Sequence, residues 1–160
     1  MKYSSQNTAT FANLYKINEC LRSYCDVANS NHGKCDKTLA MKIVDCDKVF
    51  QKSGKKSVDV VFATEKSIVF TEMKMGVTSK GTAPKEADQI KEKIINSCSV
   101  LSGQGTFNKY EYAYVLLSNN SKNFNQLKSI FLKVLRPSRK GIGSIEVLKE
   151  SEFEKEFFRD

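Results

Sequence analysis

The sequence predicts an α/β fold, a mixed sheet flanked by helices, within one domain spanning residues 1–160. Three observations carry this. Apolar residues recur at steps of three and four in three stretches, which marks helices. Short β-branched and aromatic runs lie between them, which marks strands. One such run follows a crossover helix and so can lie parallel to an earlier strand. Helices and strands in that order bury their apolar faces in layers around a sheet.

Residues 1–8 are polar and read as a frayed end. From Thr10 to about Ala28, Phe11, Leu14, Ile17, Leu21 and Tyr24 fall on one helical face, ended by Asn29-Ser30-Asn31-His32-Gly33. Leu39 to Phe50 reads as a strand, followed by a turn at Gln51–Lys56. Val58–Ala63 and Ile68–Lys74 read as two more strands joined by Thr64-Glu65-Lys66-Ser67, giving an antiparallel meander. A loop spans Gly76 to Ala83, and Pro84 suits a first helical turn. Ala87, Ile90, Ile94, Cys98 and Leu101 then make an apolar helix face stopped by Gly103. Tyr112–Leu117 reads as a buried strand, and Phe124–Val134 as a helix ended by Arg136-Pro137. After the basic loop Arg139–Gly143, Ile145–Leu148 reads as an edge strand. Ser151-x-x-Glu154 resembles a capping box for a short last helix bearing Phe153, Phe157 and Phe158.

Composition narrows the function classes. The chain is 40% hydrophobic, enough for a folded core rather than a disordered chain. Its net charge of +8 favours polyanions as partners. No stretch approaches the roughly 18 apolar residues of a membrane span, and the start lacks an apolar signal region. The five cysteines, at 20, 25, 35, 46 and 98, match no common zinc module even with His32 nearby, and read as buried or loop thiols. Free thiols without an export signal lead to an expectation of a reducing, cytoplasmic setting.

The candidate chemistry sits in the meander. Asp59 interrupts an apolar strand, and Glu72-Met73-Lys74, the only Glu-x-Lys or Asp-x-Lys in the chain, ends the next. Side chains alternate along a strand, so Glu72 and Lys74 share a face. A charge set into an apolar strand needs a partner or a metal. Asp59 and Glu72, with the Met73 carbonyl, supply oxygen ligands for Mg²⁺ or Mn²⁺. Lys74 can position the water or stabilise negative charge on a phosphate. The alternative is an exposed, salt-bridged strand end. Asp45 and Asp47 alternate along the preceding strand, either as carboxylates supporting the site or as a solvent-facing edge.

Asp59, Glu72-Met73-Lys74 and the element order resemble the PD-(D/E)xK nuclease superfamily, with its restriction-endonuclease-like αβββαβ core, over roughly residues 10–118. Val58 stands where the name-giving proline would be, a departure shared by many members. The resemblance implies a metal-dependent endonuclease, with DNA ahead of RNA as substrate. It also implies an acidic metal ligand on the first helix, a role Glu19 fits. A glutamine on the helix after the third strand is Gln89, although Lys93 stands where a tyrosine would follow. Lys80, Lys85, Lys91 and Lys93 lie near the site in sequence, and Lys55, Lys56, Arg136, Arg139 and Lys140 elsewhere; these are candidate phosphate contacts. Three other readings stay open: an RNA- or tRNA-cleaving toxin or effector, a non-catalytic nucleic-acid-binding protein, and a protein-interaction module using Phe153, Phe157 and Phe158. A homodimer or a protein partner is compatible with each.

Overall fold

The computed structural model describes residues 1–35, 39, 41–76, 79–101, 110–136 and 143–159. Helix α1 (Ser5–Leu14) is capped by Ser4, whose hydroxyl accepts the Asn7 N–H at 3.1 Å. A 3-10 turn (Asn18–Cys20), strand β1 (Leu21–Ser23) and helix α2 (Tyr24–Ser30) follow. The single helix expected over Thr10–Ala28 is therefore broken. Lys16 takes a left-handed backbone, and Leu21–Ser23 find hydrogen-bonding partners in the sheet. Ser23 then caps α2 by accepting the Asp26 N–H at 3.2 Å. A step of three or four describes such a zigzag as well as it describes one helix.

Strand β2 (Lys42–Asp45) is shorter than the strand expected over Leu39–Phe50. Asp45 ends it by accepting the Asp47 N–H at 3.1 Å, which starts helix α3 (Cys46–Phe50). Asp45 and Asp47 thus do not share a strand face. Strands β3 (Val60–Ala63) and β4 (Ser67–Lys74) form the expected hairpin. Helix α4 (Ala83–Leu101) crosses to β5 (Tyr110–Leu117), and helix α5 (Phe124–Leu135) crosses to β6 (Ser144–Lys149). Helix α6 (Glu150–Phe157) closes the order. Its cap is Lys149, two residues before the expected Ser151: Glu152 accepts the Lys149 N–H, while the Ser151 N–H is taken by Asn119.

The six strands lie in the order β1-β2-β3-β4-β5-β6. β1 to β4 are antiparallel neighbours, and β4–β5 and β5–β6 are parallel. This is the expected α/β architecture with a mixed sheet. Parallel pairs need a crossover, and α4 and α5 provide it. One sheet face, with Val44, Val61, Phe70 and Val115, packs on Phe11, Ile90, Ile94, Leu127 and Phe131 of α1, α4 and α5. The other, with Ile43, Val60, Phe62 and Leu116, packs on α2 and α6. Phe153 and Phe157 are buried there, so they form core rather than an exposed docking patch.

The N-terminal residues are anchored, not frayed: the Tyr3 N–H donates to Phe157 and the Ser4 N–H to Ala63, each at 2.9 Å. Cys25 and Cys35 are joined as a disulfide, which corrects the expectation of free thiols for that pair; Cys20, Cys46 and Cys98 are free. Among the described residues, no helix is long and apolar enough to cross a membrane.

Candidate active site

The hairpin brings the two carboxylates together. Val60 pairs with Thr71 and Val61 with Phe70, so continuing the register by one residue sets Asp59 opposite Glu72. Ile68 and Phe70 face α4, and the alternation along β4 puts Glu72 and Lys74 on that same side. Asp59 accepts the Met73 N–H on Oδ2 at 2.6 Å. Glu72 is only 2% exposed and accepts Lys93 Nζ on Oε1 at 2.7 Å. Its second oxygen, Oε2, is buried with no hydrogen-bond partner. An orphaned buried carboxylate oxygen carries a desolvation cost that only another donor or a cation removes.

These groups line a cavity of about 370 Å³, with Asp59, Glu72, Met73 and Lys74 on the sheet side and Glu86 and Lys93 on α4. Asn31, His32 and Gly76 complete its wall. A second cavity, of about 310 Å³, shares Lys93 and is lined by Asp47, Lys55 and Lys56.

Burial and then the charge of Asp59 push the Glu72 carboxyl up to about 8, while Lys93 holds it lower than burial alone would. Burial also pushes Asp59 up to about 6, opposed by the Met73 N–H and Lys93. Burial disfavours the Lys93 ammonium, but the Glu72 carboxylate beside it, with Asp59 and Asp47, outweighs this and the net direction is up. Asp47 is raised by burial and by Asp45.

These directions fix a pH dependence. Both carboxyls have folded pKa values above their unfolded ones, so the folded chain binds more protons between the two values. Stability contributed by these groups is therefore lost as pH rises, from about 5 toward 8 and above. Urea unfolding in EDTA checks this: Glu72→Gln, which cannot ionise, gains on the wild type as pH rises across that window. A constant difference would remove Glu72 as the source.

The structure brings together Asp59, Glu72, Met73, Lys74 and Lys93. It does not bring the others. Glu19 is exposed on the 3-10 turn rather than on a helix and does not line the cavity, since the broken first helix carries it away. Gln89 is half-buried on α4 between Glu86 and Lys93, but it too is outside the lining. Lys80 and Lys85 are exposed and outside it. Arg139 and Lys140 lie outside the described residues. Asp45 is tied to Arg22 at 2.8 Å. Sequence reasoning treated Lys93 as a phosphate contact, and here it is the counter-ion of Glu72. It passed over Glu86, although Glu86 and Lys93 are two turns apart on one helix and so share a face. His32, which the sequence places only in the loop ending the first helix, also lines the cavity.

Among the described residues, no three His, Cys, Asp or Glu side chains are grouped as a metal cluster. The oxygen donors at hand are the carboxylates of Asp59 and Glu72, the Met73 backbone and, across the cavity on α4, the Glu86 carboxylate, whose Oε2 is likewise buried without a hydrogen-bond partner. Such a set suits Mg²⁺ or Mn²⁺, which takes one or two carboxylates and keeps several waters. The orphaned Glu72 oxygen fits that role. No family model matches the chain, and neither a curated protein nor a solved structure matches it.

Proposed function

We propose that this protein is a metal-dependent endonuclease that hydrolyses phosphodiester bonds, in DNA ahead of RNA. The observation that carries this reading is the convergence of Asp59 and Glu72 across the β3–β4 hairpin, with an unpaired carboxylate oxygen and Lys74 beside it in one cavity. The strand order supports the likeness to the PD-(D/E)xK superfamily, because the antiparallel strands β2, β3 and β4, with the short β1 at their edge, are followed by a crossover helix and a parallel strand. The net charge of +8, and Lys55 and Lys56 in the cavity next to Lys93, support a polyanionic substrate.

Asp59, Glu72 and the Met73 carbonyl would hold the Mg²⁺ or Mn²⁺ ion. When bound, that ion polarises the phosphate and lowers the pKa of a coordinated water. The remaining work belongs to the chain. The Met73 N–H fixes one Asp59 oxygen and so orients the carboxylate. Lys74 lines the same cavity, where its ammonium would steady the attacking water and the charge that builds on the phosphate. Lys93 neutralises Glu72 until a cation takes over that task.

A second reading draws on the same ion pair. If Lys93 is a permanent counter-ion, the protein binds nucleic acid without cutting it. Supercoiled plasmid separates the two. Nicking that needs Mg²⁺ or Mn²⁺, stops in EDTA and is lost in Lys74→Ala establishes the nuclease. Intact plasmid, single-stranded DNA and RNA under all of these conditions overturn it.

A further inference from the structure

His32 is the chain's only histidine, and it is exposed in the wall of the candidate cavity. Its backbone is left-handed, with φ at 65°, in the position just past the α2 C-cap Asn31 where helices commonly end in this conformation. Further contacts hold the segment. The Cys25–Cys35 disulfide closes the segment. Asn29 clasps Cys35 from both sides, accepting its N–H at 3.0 Å and donating to its carbonyl at 3.1 Å. The Gly33 N–H donates to Ala28 at 2.8 Å, and the Lys34 N–H to the buried Glu150 carboxylate at 2.9 Å. Gly33 has no room for a side chain: a Cβ would lie 2.7 Å from both the Ala28 carbonyl and Glu150 Oε2. The His32 ring lies near Gly76, two residues beyond Lys74: a Cβ there would lie 3.5 Å from it. The same contacts that end α2 and seat Cys25, Ala28 and Cys35 in the core thereby leave the His32 side chain exposed at the cavity wall.

We propose that His32 is a substrate-contacting residue that hydrogen-bonds a backbone phosphate of the strand entering the cavity, and that the Cys25–Cys35 clasp positions it there. The proposal rests on the nucleic-acid reading of this site, but not on cleavage. An imidazole N–H is a fit donor for a phosphate oxygen, and phosphate contacts of this kind set register on a nucleic acid. The disulfide makes the contact sensitive to reduction, since opening it frees the segment that holds His32 in its left-handed turn.

Fluorescence anisotropy of a labelled single-stranded oligonucleotide and its duplex, in Ca²⁺, tests this without turnover. His32→Asn is the cleaner variant, because asparagine tolerates the left-handed backbone while removing the imidazole. We expect Kd to rise about tenfold, which is ~1.4 kcal/mol. Dithiothreitol, or the pair Cys25→Ser and Cys35→Ser, should weaken wild-type binding to the same degree and leave His32→Asn unchanged; a purely structural clasp would weaken both proteins alike. Wild-type affinity in His32→Asn overturns the proposal alone. A wild type that binds neither oligonucleotide overturns it together with the nucleic-acid reading, and binding that weakens in His32→Asn without plasmid nicking supports it while the nuclease reading falls.

Discussion

Glu72→Gln loses metal-dependent cleavage, by on the order of 10³-fold or more, while the chain stays folded. The expected loss follows from where the charge sits. Glu72 is the more deeply buried of the two carboxylates, and its unpartnered oxygen is the feature that most needs a cation. Glutamine keeps the volume and offers Lys93 a carbonyl oxygen, but it carries no charge to hold Mg²⁺ or Mn²⁺. Transition-state stabilisation by a metal or a single well-placed donor accounts for several kcal/mol, so removing it leaves little activity. Lys74→Ala should match this loss by another route, since it removes the ammonium and spares the carboxylates. The two variants therefore separate in metal binding. Mn²⁺ should raise the Tm of Lys74→Ala but not that of Glu72→Gln. Plasmid nicking together with thermal unfolding reads both effects. Wild-type cleavage by either variant would sink the mechanism, and an Mn²⁺-induced Tm rise in Glu72→Gln would remove Glu72 as the ligand.

The candidate site was legible in the chain because its signal is local. Asp59 and Glu72-Met73-Lys74 are charges placed in apolar strands, and the period-2 rule puts Glu72 and Lys74 on one face before any coordinates are known. The mixed sheet was legible for a similar reason, since the strands around the hairpin are dense in β-branched residues. The N-terminal third was not. Spacing from Phe11 to Tyr24 suits one helix, but Leu21–Ser23 gain more by pairing with Lys42–Val44, and that partner is about 20 residues away in sequence. The loss of one long helix also removed Glu19 from the site. Lys93 was found as a residue but not in its role, because the contact that defines it spans 21 positions between α4 and β4. His32 was missed for a related reason. Its place depends on Glu150 and Cys35, one of them more than 100 positions away, and Asn-His-Gly read alone is merely a turn.

Lys93→Met destabilises the protein in a pH-dependent manner, and a divalent cation reverses the loss. Methionine keeps most of the packing of the lysine stem, so the change isolates the charge. In the wild type the ammonium and the Glu72 carboxylate form a pair at 2.7 Å, with Glu72 buried and Lys93 a quarter exposed. Removing one partner of a buried pair costs about 3 kcal/mol when the other must stay ionised. Glu72 has a way to avoid that cost, because its carboxyl already titrates at about 8 and rises further once Lys93 no longer favours its charge. At pH 6 it is protonated in both proteins, so little electrostatic difference remains. As pH rises through 8, the wild type ionises Glu72 against Lys93 and the variant cannot, so the deficit grows toward ~3 kcal/mol. Urea unfolding in EDTA at pH 6 and pH 9 measures this. Mn²⁺ should narrow the gap at pH 9, since a cation on Glu72 replaces the missing ammonium. Combining Glu72→Gln with Lys93→Met should be markedly less harmful than the sum of the two, because the second change has no charge left to orphan. Equal destabilisation at both pH values, or strict additivity in the double variant, would show that Lys93 acts by packing and that the Glu72 carboxylate does not depend on it.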